Sequence, residues 1–397
     1  MTRTRRGAGA ALLALSMTLP LVQAAAAAAP SGADTTAVTA AARKAAPVTL
    51  SRPTGPHSVG VSTLHLTDPS RNDPWVPGAG ARELLVSVHH PARAHTGGRA
   101  QRYLSTAEAQ ALTEGSGLPS GSADLLAGTR SWARQDAQPA KGRFPLVVLS
   151  PGFGTTRKTQ TMLAEDLASR GYVVASVDHA YESVATEFPR RGLLPCVACQ
   201  KTESGEVPHA SVTEGRARDV SFVLDRLTGP GAVRKYAAMI DASRIGMVGH
   251  SIGGASAAST MARDPRVDAG ANMDGTFFTP LPREGLGGRP FLLLGAEGSG
   301  PGSGDASWDE AWQRLDGWKR WLTVTGTQHS TFSDEPVLAA QVPGWPVAPG
   351  ALPGHRAVEL TRTYVAAFLD RHLRAAHRPV LDGPTRANPE VVFHAPR

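Results

Sequence analysis

From residue 144 onward, short apolar runs alternate with stretches whose apolar residues recur at helical spacing, and few folds accept that order. Residues 144–150 (FPLVVLS) suit a strand buried on both faces. The turn Pro151-Gly152-Phe153-Gly154 follows, then a predicted helix over 159–170 and a strand over 172–177. Val220, Val223, Leu224 and Leu227 mark one face of a helix over 214–227. Further strands are predicted over 245–249, 267–273, 290–295 and 321–324, with a last helix over 357–373. Such strand-helix-strand units specify an α/β fold: a mostly parallel central sheet with helices on both faces.

Upstream, residues 58–66 and 83–89 read as an antiparallel pair at a sheet edge, split by the turn-rich stretch 68–74. Residues 91–140 combine much Gly and Ser with weak helical character at 105–114, a composition suited to covering part of a site. One domain over 47–375 absorbs all these elements, leaving a C-terminal tail over 376–397. At 397 residues and 41% hydrophobic content the chain can bury a core of that size.

The N-terminus has basic Arg3, Arg5 and Arg6, an apolar stretch over 8–21, and an Ala-rich exit with A-x-A sites. That layout predicts a secretory signal peptide over 1–29, because the apolar stretch is short for a bilayer span. Residues 30–46, rich in Ala, Thr and Ser, read as a flexible linker. The mature protein is therefore expected to be secreted and extracellular. In that setting Cys196 and Cys199, the two cysteines of the chain, are expected to form a short-range disulfide on a surface loop. Two cysteines are too few for a four-thiolate zinc site. The formal charge of +7 falls by three with the signal peptide, and the remaining Arg residues are interspersed with Glu and Asp. Without a basic run interleaved with aromatics, nucleic acid is not an expected partner.

The chemistry centres on Gly249-His250-Ser251-Ile252-Gly253, a G-x-S-x-G string between the apolar strand at 245–248 and the small-residue run Gly254-Ala255-Ser256-Ala257-Ala258. A strand-to-helix reversal there lifts the Ser251 hydroxyl above the sheet, as a nucleophile requires. A hydroxyl needs a base and an acid that orients it, following in the order serine, acid, histidine. Of the five histidines after Ser251, only His329 directly follows a strand; His355, His372, His377 and His394 lie in a loop, the last helix or the tail. Both Asp274 and Glu297 end strands at the same edge, and chain pattern alone leaves the acid open between them. The developing oxyanion calls for two backbone donors, assigned to the amides of Ile252 and Phe153.

In this order the motifs resemble the platelet-activating factor acetylhydrolase family and the related secreted lipases of actinobacteria. The matching pieces are Pro53-Thr54-Gly55-Pro56, Val59-Gly60, Asp73-Pro74-Trp75, residues 150–154, residues 166–172, the elbow with Gly254, Met273-Asp274-Gly275 and residues 329–334. The resemblance implies an α/β-hydrolase fold, a serine esterase or lipase activity, and Asp274 as the acid. Polyester-cleaving cutinase relatives place an aspartate one strand later, where this chain has Glu297. Residues 183–208, with the cysteine pair, match no motif of the family. No metal or organic cofactor is expected. The expected partner is a small-molecule or lipid ester, with transient contact to lipid surfaces and a monomeric state.

Overall fold

Apolar β-branched runs and one-sided helices predict a layered α/β core, and the computed structural model of residues 48–119 and 121–395 has that architecture. The expected signal peptide and the linker over 30–46 lie outside the described residues. Strands β1 (Ser58–Asn72), β2 (Ala81–Ala92), β3 (Ala100–Arg102) and β4 (Arg130–Gln135) precede the alternating region. Strands β5 (Phe144–Ser150), β6 (Val173–His179), β9 (Ile240–His250), β10 (Ala269–Met273), β11 (Phe291–Gly295) and β12 (Lys319–Val324) build the parallel centre. Between them β7 (Thr186–Phe188) and β8 (Gly192–Leu194) form a separate two-stranded ribbon. With β13 (Val391–His394), the main sheet runs β13-β12-β11-β10-β9-β5-β6-β2-β1-β4-β3.

The helices are α1 (Thr106–Gly115), α2 (Ser122–Gly128), α3 (Thr161–Ser169), α4 (Val197–Glu203), α5 (Ala210–Thr228), α6 (Arg234–Ala237), α7 (Ile252–Arg263), α8 (Ala306–Arg314), α9 (Glu335–Ala339) and α10 (Gly354–Arg374). One core layer joins Leu163 and Leu167 of α3 with Leu360, Tyr364 and Phe368 of α10. The other joins Val220, Val223, Leu224 and Leu227 of α5 with Met261 of α7 and Trp308 of α8. The stripe read on α5 from the sequence is the stripe that is buried.

Two expectations about the periphery change. The β1/β2 pair forms in antiparallel register but is not the sheet edge, since β2 also pairs with β6 and β1 with β4. Residues 91–140 supply that extension and also two helices: Ser105 and Glu108 close a reciprocal capping box on α1, a signature present in the sequence. Residues 376–395, the described part of the expected tail over 376–397, are not a plain tail. The outer edge of β12 would leave a row of unpaired backbone groups, and β13 covers it antiparallel while Val391 joins the core.

Glu165 of α3 is fully buried, and its Oε1 accepts from the Ala133 N–H at 2.6 Å. Burial, only partly offset by that bond, pushes its carboxyl up from 4.5 to about 7. A pKa raised by folding gives stability that is complete below about 4.5 and is lost as pH rises to about 7, on the order of 3 kcal/mol in all. Glu165→Gln should therefore melt above the wild type at pH 8 and close to it near pH 4.5, measured by calorimetry across that range.

Candidate active site

Ser251 alone makes the turn from β9 into α7, at φ 55° and ψ −132°. A non-glycine residue at positive φ is strained and persists only where its surroundings impose it. Here close packing does so. A Cβ on Gly249 would lie 2.1 Å from the backbone of Gly253, one on Gly253 2.1 Å from the Ser150 oxygen, and one on Gly254 2.0 Å from Asn272 Oδ1. The Ser251 N–H is tied to the Met273 carbonyl at 2.8 Å.

Asp274 leaves β10 at φ 57°, its N–H donating to the Leu294 carbonyl at 3.0 Å. Its Oδ1 accepts from the Ala296 N–H and the Ser299 hydroxyl, each at 2.8 Å, and its Oδ2 faces His329 Nδ1 at 2.7 Å. Burial would raise this carboxyl, but the bonds from His329, Ala296 and Ser299 outweigh it and hold Asp274 below the ordinary aspartate value. His329 begins a 3-10 turn after β12, and its Nε2 lies 2.8 Å from Ser251 Oγ. With Nδ1–H donated to the carboxylate, Nε2 is left to accept the serine proton. Glu297 is elsewhere: its Oε2 accepts from the Gly326 N–H at 2.7 Å.

Two orienting residues escaped the sequence reading. His250 Nε2–H donates to the His329 carbonyl at 2.7 Å, fixing the backbone that carries the imidazole. Burial, with the His329 imidazole alongside, pushes His250 down to about 4, so it stays neutral. Ser299 lies in the Gly/Ser run after Glu297, where its hydroxyl holds Asp274 and its carbonyl accepts from Trp321 Nε1 at 2.9 Å. The strand-elbow-helix pattern pointed at neither, although His250 stands inside the elbow itself.

The turn after β5 reaches the same place: a Cβ on Gly152 would sit 3.5 Å from Ser251 Cβ. Among the described residues the amides of Phe153 and Ile252 donate to no backbone carbonyl, as two donors kept for a ligand oxygen would. Cys196 and Cys199 are joined with 5.2 Å between their Cα atoms. They are not on a surface loop. Cys196 is buried as the N-cap of α4, and Ala198 in that helix packs with Trp75, Val212 and Ile252 next to the elbow. A cleft of about 320 Å³ opens on the other flank of Phe153, lined by Tyr103, Leu104, Leu112, Val184, Leu338 and Trp345.

Beneath this site His179, Glu182 and Asp219 bring three ligand-type atoms within 4.8 Å of one another. The donor set does not fit a cation. Arg82 already bonds Glu182 and Asp219 at 2.7 and 2.8 Å, Arg71 also bonds Asp219, and Arg216 bonds Glu182 at 2.7 Å. Burial would lower the Arg82 pKa, but the charges of Asp219 and Glu182 raise it further, so the guanidinium stays where an ion would go.

The family model described as platelet-activating factor acetylhydrolase, isoform II, matches residues 47–192 and 232–379. The chain is 30% identical over 376 residues to a probable 1-alkyl-2-acetylglycerophosphocholine esterase of Arthroderma benhamiae, covering 87% of this chain and 93% of that protein. It is 24% identical to the platelet-activating factor acetylhydrolase of Bos taurus over 58% of this chain and 57% of that protein. Among solved structures, a ferulic acid esterase from Streptomyces cinnamoneus superposes with a TM-score of 0.76 at 45% identity, over 88% of this chain and all of that one. The chain belongs to the isoform II platelet-activating factor acetylhydrolase family, has the α/β-hydrolase fold, and is a carboxylic ester hydrolase.

Proposed function

We propose that ester cleavage proceeds by acyl transfer through Ser251, His329 and Asp274. The observation that carries this reading is a single imidazole bonded at both nitrogens, to the Ser251 hydroxyl at 2.8 Å and the Asp274 carboxylate at 2.7 Å. Ser251 Oγ attacks the ester carbonyl carbon while His329 Nε2 takes its proton. The carbonyl oxygen becomes an oxyanion received by the Phe153 and Ile252 amides. His329 returns the proton to the leaving alcohol as the C–O bond breaks, and the acyl-enzyme is hydrolysed by water activated in the same way. Asp274 keeps the imidazole in the tautomer that can accept and stabilises the imidazolium.

The acyl group is proposed to be aromatic. The solved structure sharing 45% identity is a ferulic acid esterase, and the cleft beside Phe153 is walled by Tyr103 and Trp345. Its volume of about 320 Å³ lies within the usual range for small-molecule sites, and flat rings pack favourably against such walls. The 1-alkyl-2-acetylglycerophosphocholine esters in the name of the probable esterase of Arthroderma benhamiae are the competing substrate class.

On one soluble ester, Ser251→Ala should lose on the order of 10⁴ or more in kcat, and Asp274→Asn about 10³ to 10⁴, with both proteins folded by circular dichroism. Glu297→Gln should stay close to wild type. A large loss at Glu297 with little at Asp274 would move the acid one strand later and contradict the assignment.

For the acyl group, kcat/KM should be higher on methyl ferulate than on 1-alkyl-2-acetylglycerophosphocholine. Trp345→Ala should lower it on methyl ferulate by about tenfold and leave p-nitrophenyl acetate unaffected. The opposite ranking of the two substrates would overturn the aromatic assignment while leaving the triad standing.

A further inference from the structure

The Phe153 amide sits in the middle of a glycine turn, so something other than side-chain bulk must fix its direction. Gly152 has no side chain to resist rotation of the peptide that carries this amide. Instead, three successive peptide units are tied down from different sides. The Pro151 carbonyl accepts from Arg216 Nη1 at 2.5 Å. The Gly152 carbonyl accepts from the Thr155 hydroxyl at 3.0 Å and the Thr155 N–H at 3.3 Å. The Gly154 N–H donates to the Glu182 carbonyl at 3.1 Å. In a trans peptide the C=O and N–H point to opposite sides, so holding the Gly152 carbonyl on Thr155 turns the Phe153 N–H away from that side.

Arg216 makes the first of these ties, and it is buried with 1% of its surface exposed. Its Nε donates to Glu182 Oε2 at 2.7 Å, and Glu182 Oε1 accepts from Arg82 Nη2 at 2.7 Å and Trp75 Nε1 at 2.9 Å. Glu182 therefore holds the turn twice, through its own carbonyl on Gly154 and through Arg216 on Pro151. Arg216 lies in the stretch 193–231, outside the match to the family model. A buried guanidinium bonded at once to a carboxylate and a main-chain carbonyl has a fixed geometry that a lysine reproduces only in part.

We propose that Arg216, clamped by Glu182, is a positioning residue that sets the Phe153 amide for the oxyanion. This rests on the reading of Ser251 as the nucleophile. An aryl trifluoromethyl ketone separates the two claims, because Ser251 Oγ adds to its carbonyl carbon, His329 takes the serine proton, and the resulting hemiketal oxyanion occupies the oxyanion position. Arg216→Gln should lower kcat on methyl ferulate by about 10²-fold, the loss typical of one displaced donor, with KM nearly unchanged. Its Ki for the ketone should rise in proportion to the loss in kcat/KM. Arg216→Lys keeps the charge beside Glu182 and should recover part of both; if the glutamine variant does not fold, the lysine variant carries the test with the same paired shift. Folded variants with wild-type kcat and Ki, or with altered KM and an unchanged Ki, would overturn the positioning role. Equal affinity of Ser251→Ala and wild type for the ketone, measured by calorimetric titration, would overturn the nucleophile reading itself.

Discussion

Gly253 lets the first turn of α7 rest on the end of β5, at a distance where a Cβ would be 2.1 Å from the Ser150 oxygen. The rest of the site depends on that contact. It brings Ser251 against the turn that carries the Phe153 amide, so one approach of backbone to backbone places the hydroxyl beside the amides proposed to receive the oxyanion. Gly254 extends the same approach to β10 by admitting Asn272, whose side chain receives the Gly275 N–H at 2.8 Å and so steadies the loop behind Asp274. A methyl group at either glycine has nowhere to go, since the atoms it would meet include fixed backbone.

Around this contact the protein places charge where an ordinary core would place hydrocarbon. Asp73, Glu182 and Asp219 meet Arg71, Arg82 and Arg216 between β2, β6 and α5, largely shut off from water. Taking such groups out of water is costly, and a buried cluster of this kind is weak evidence of added stability. What it supplies is direction: guanidinium forks bond in fixed planes, and the turn after β5 ends on them. His179 completes the cluster as a neutral imidazole, its pKa lowered by burial and by Arg216, donating Nδ1–H to Asp219 at 2.6 Å.

The α/β layering and the elbow were legible in the sequence because both rest on local pattern: apolar runs such as FPLVVLS, the stripe on α5, and small residues around Ser251. His329 was legible for a similar reason, as the histidine that directly follows a strand. Asp274 was not separable from Glu297 by pattern, because both end strands at one edge. Their difference lies in three-dimensional bonds, Asp274 to His329 and Glu297 to Gly326. The strands β3 and β13, which form the two edges of the sheet, were missed because short edge strands take their shape from a neighbour's open hydrogen bonds more than from their own residues. Ser299, His250 and Arg216 act through contacts of 25 to 79 positions in sequence, which no local window contains.

In the proposed mechanism Ser251 is the one hydroxyl activated by His329. A fluorophosphonate reacts with such a serine by forming a P–O bond and releasing fluoride. Peptide mapping by mass spectrometry after labelling the native protein tests this most directly. A single stoichiometric adduct on Ser251 is expected, absent when the protein is unfolded before labelling. An adduct on another residue, or an active protein that takes no label, would contradict it.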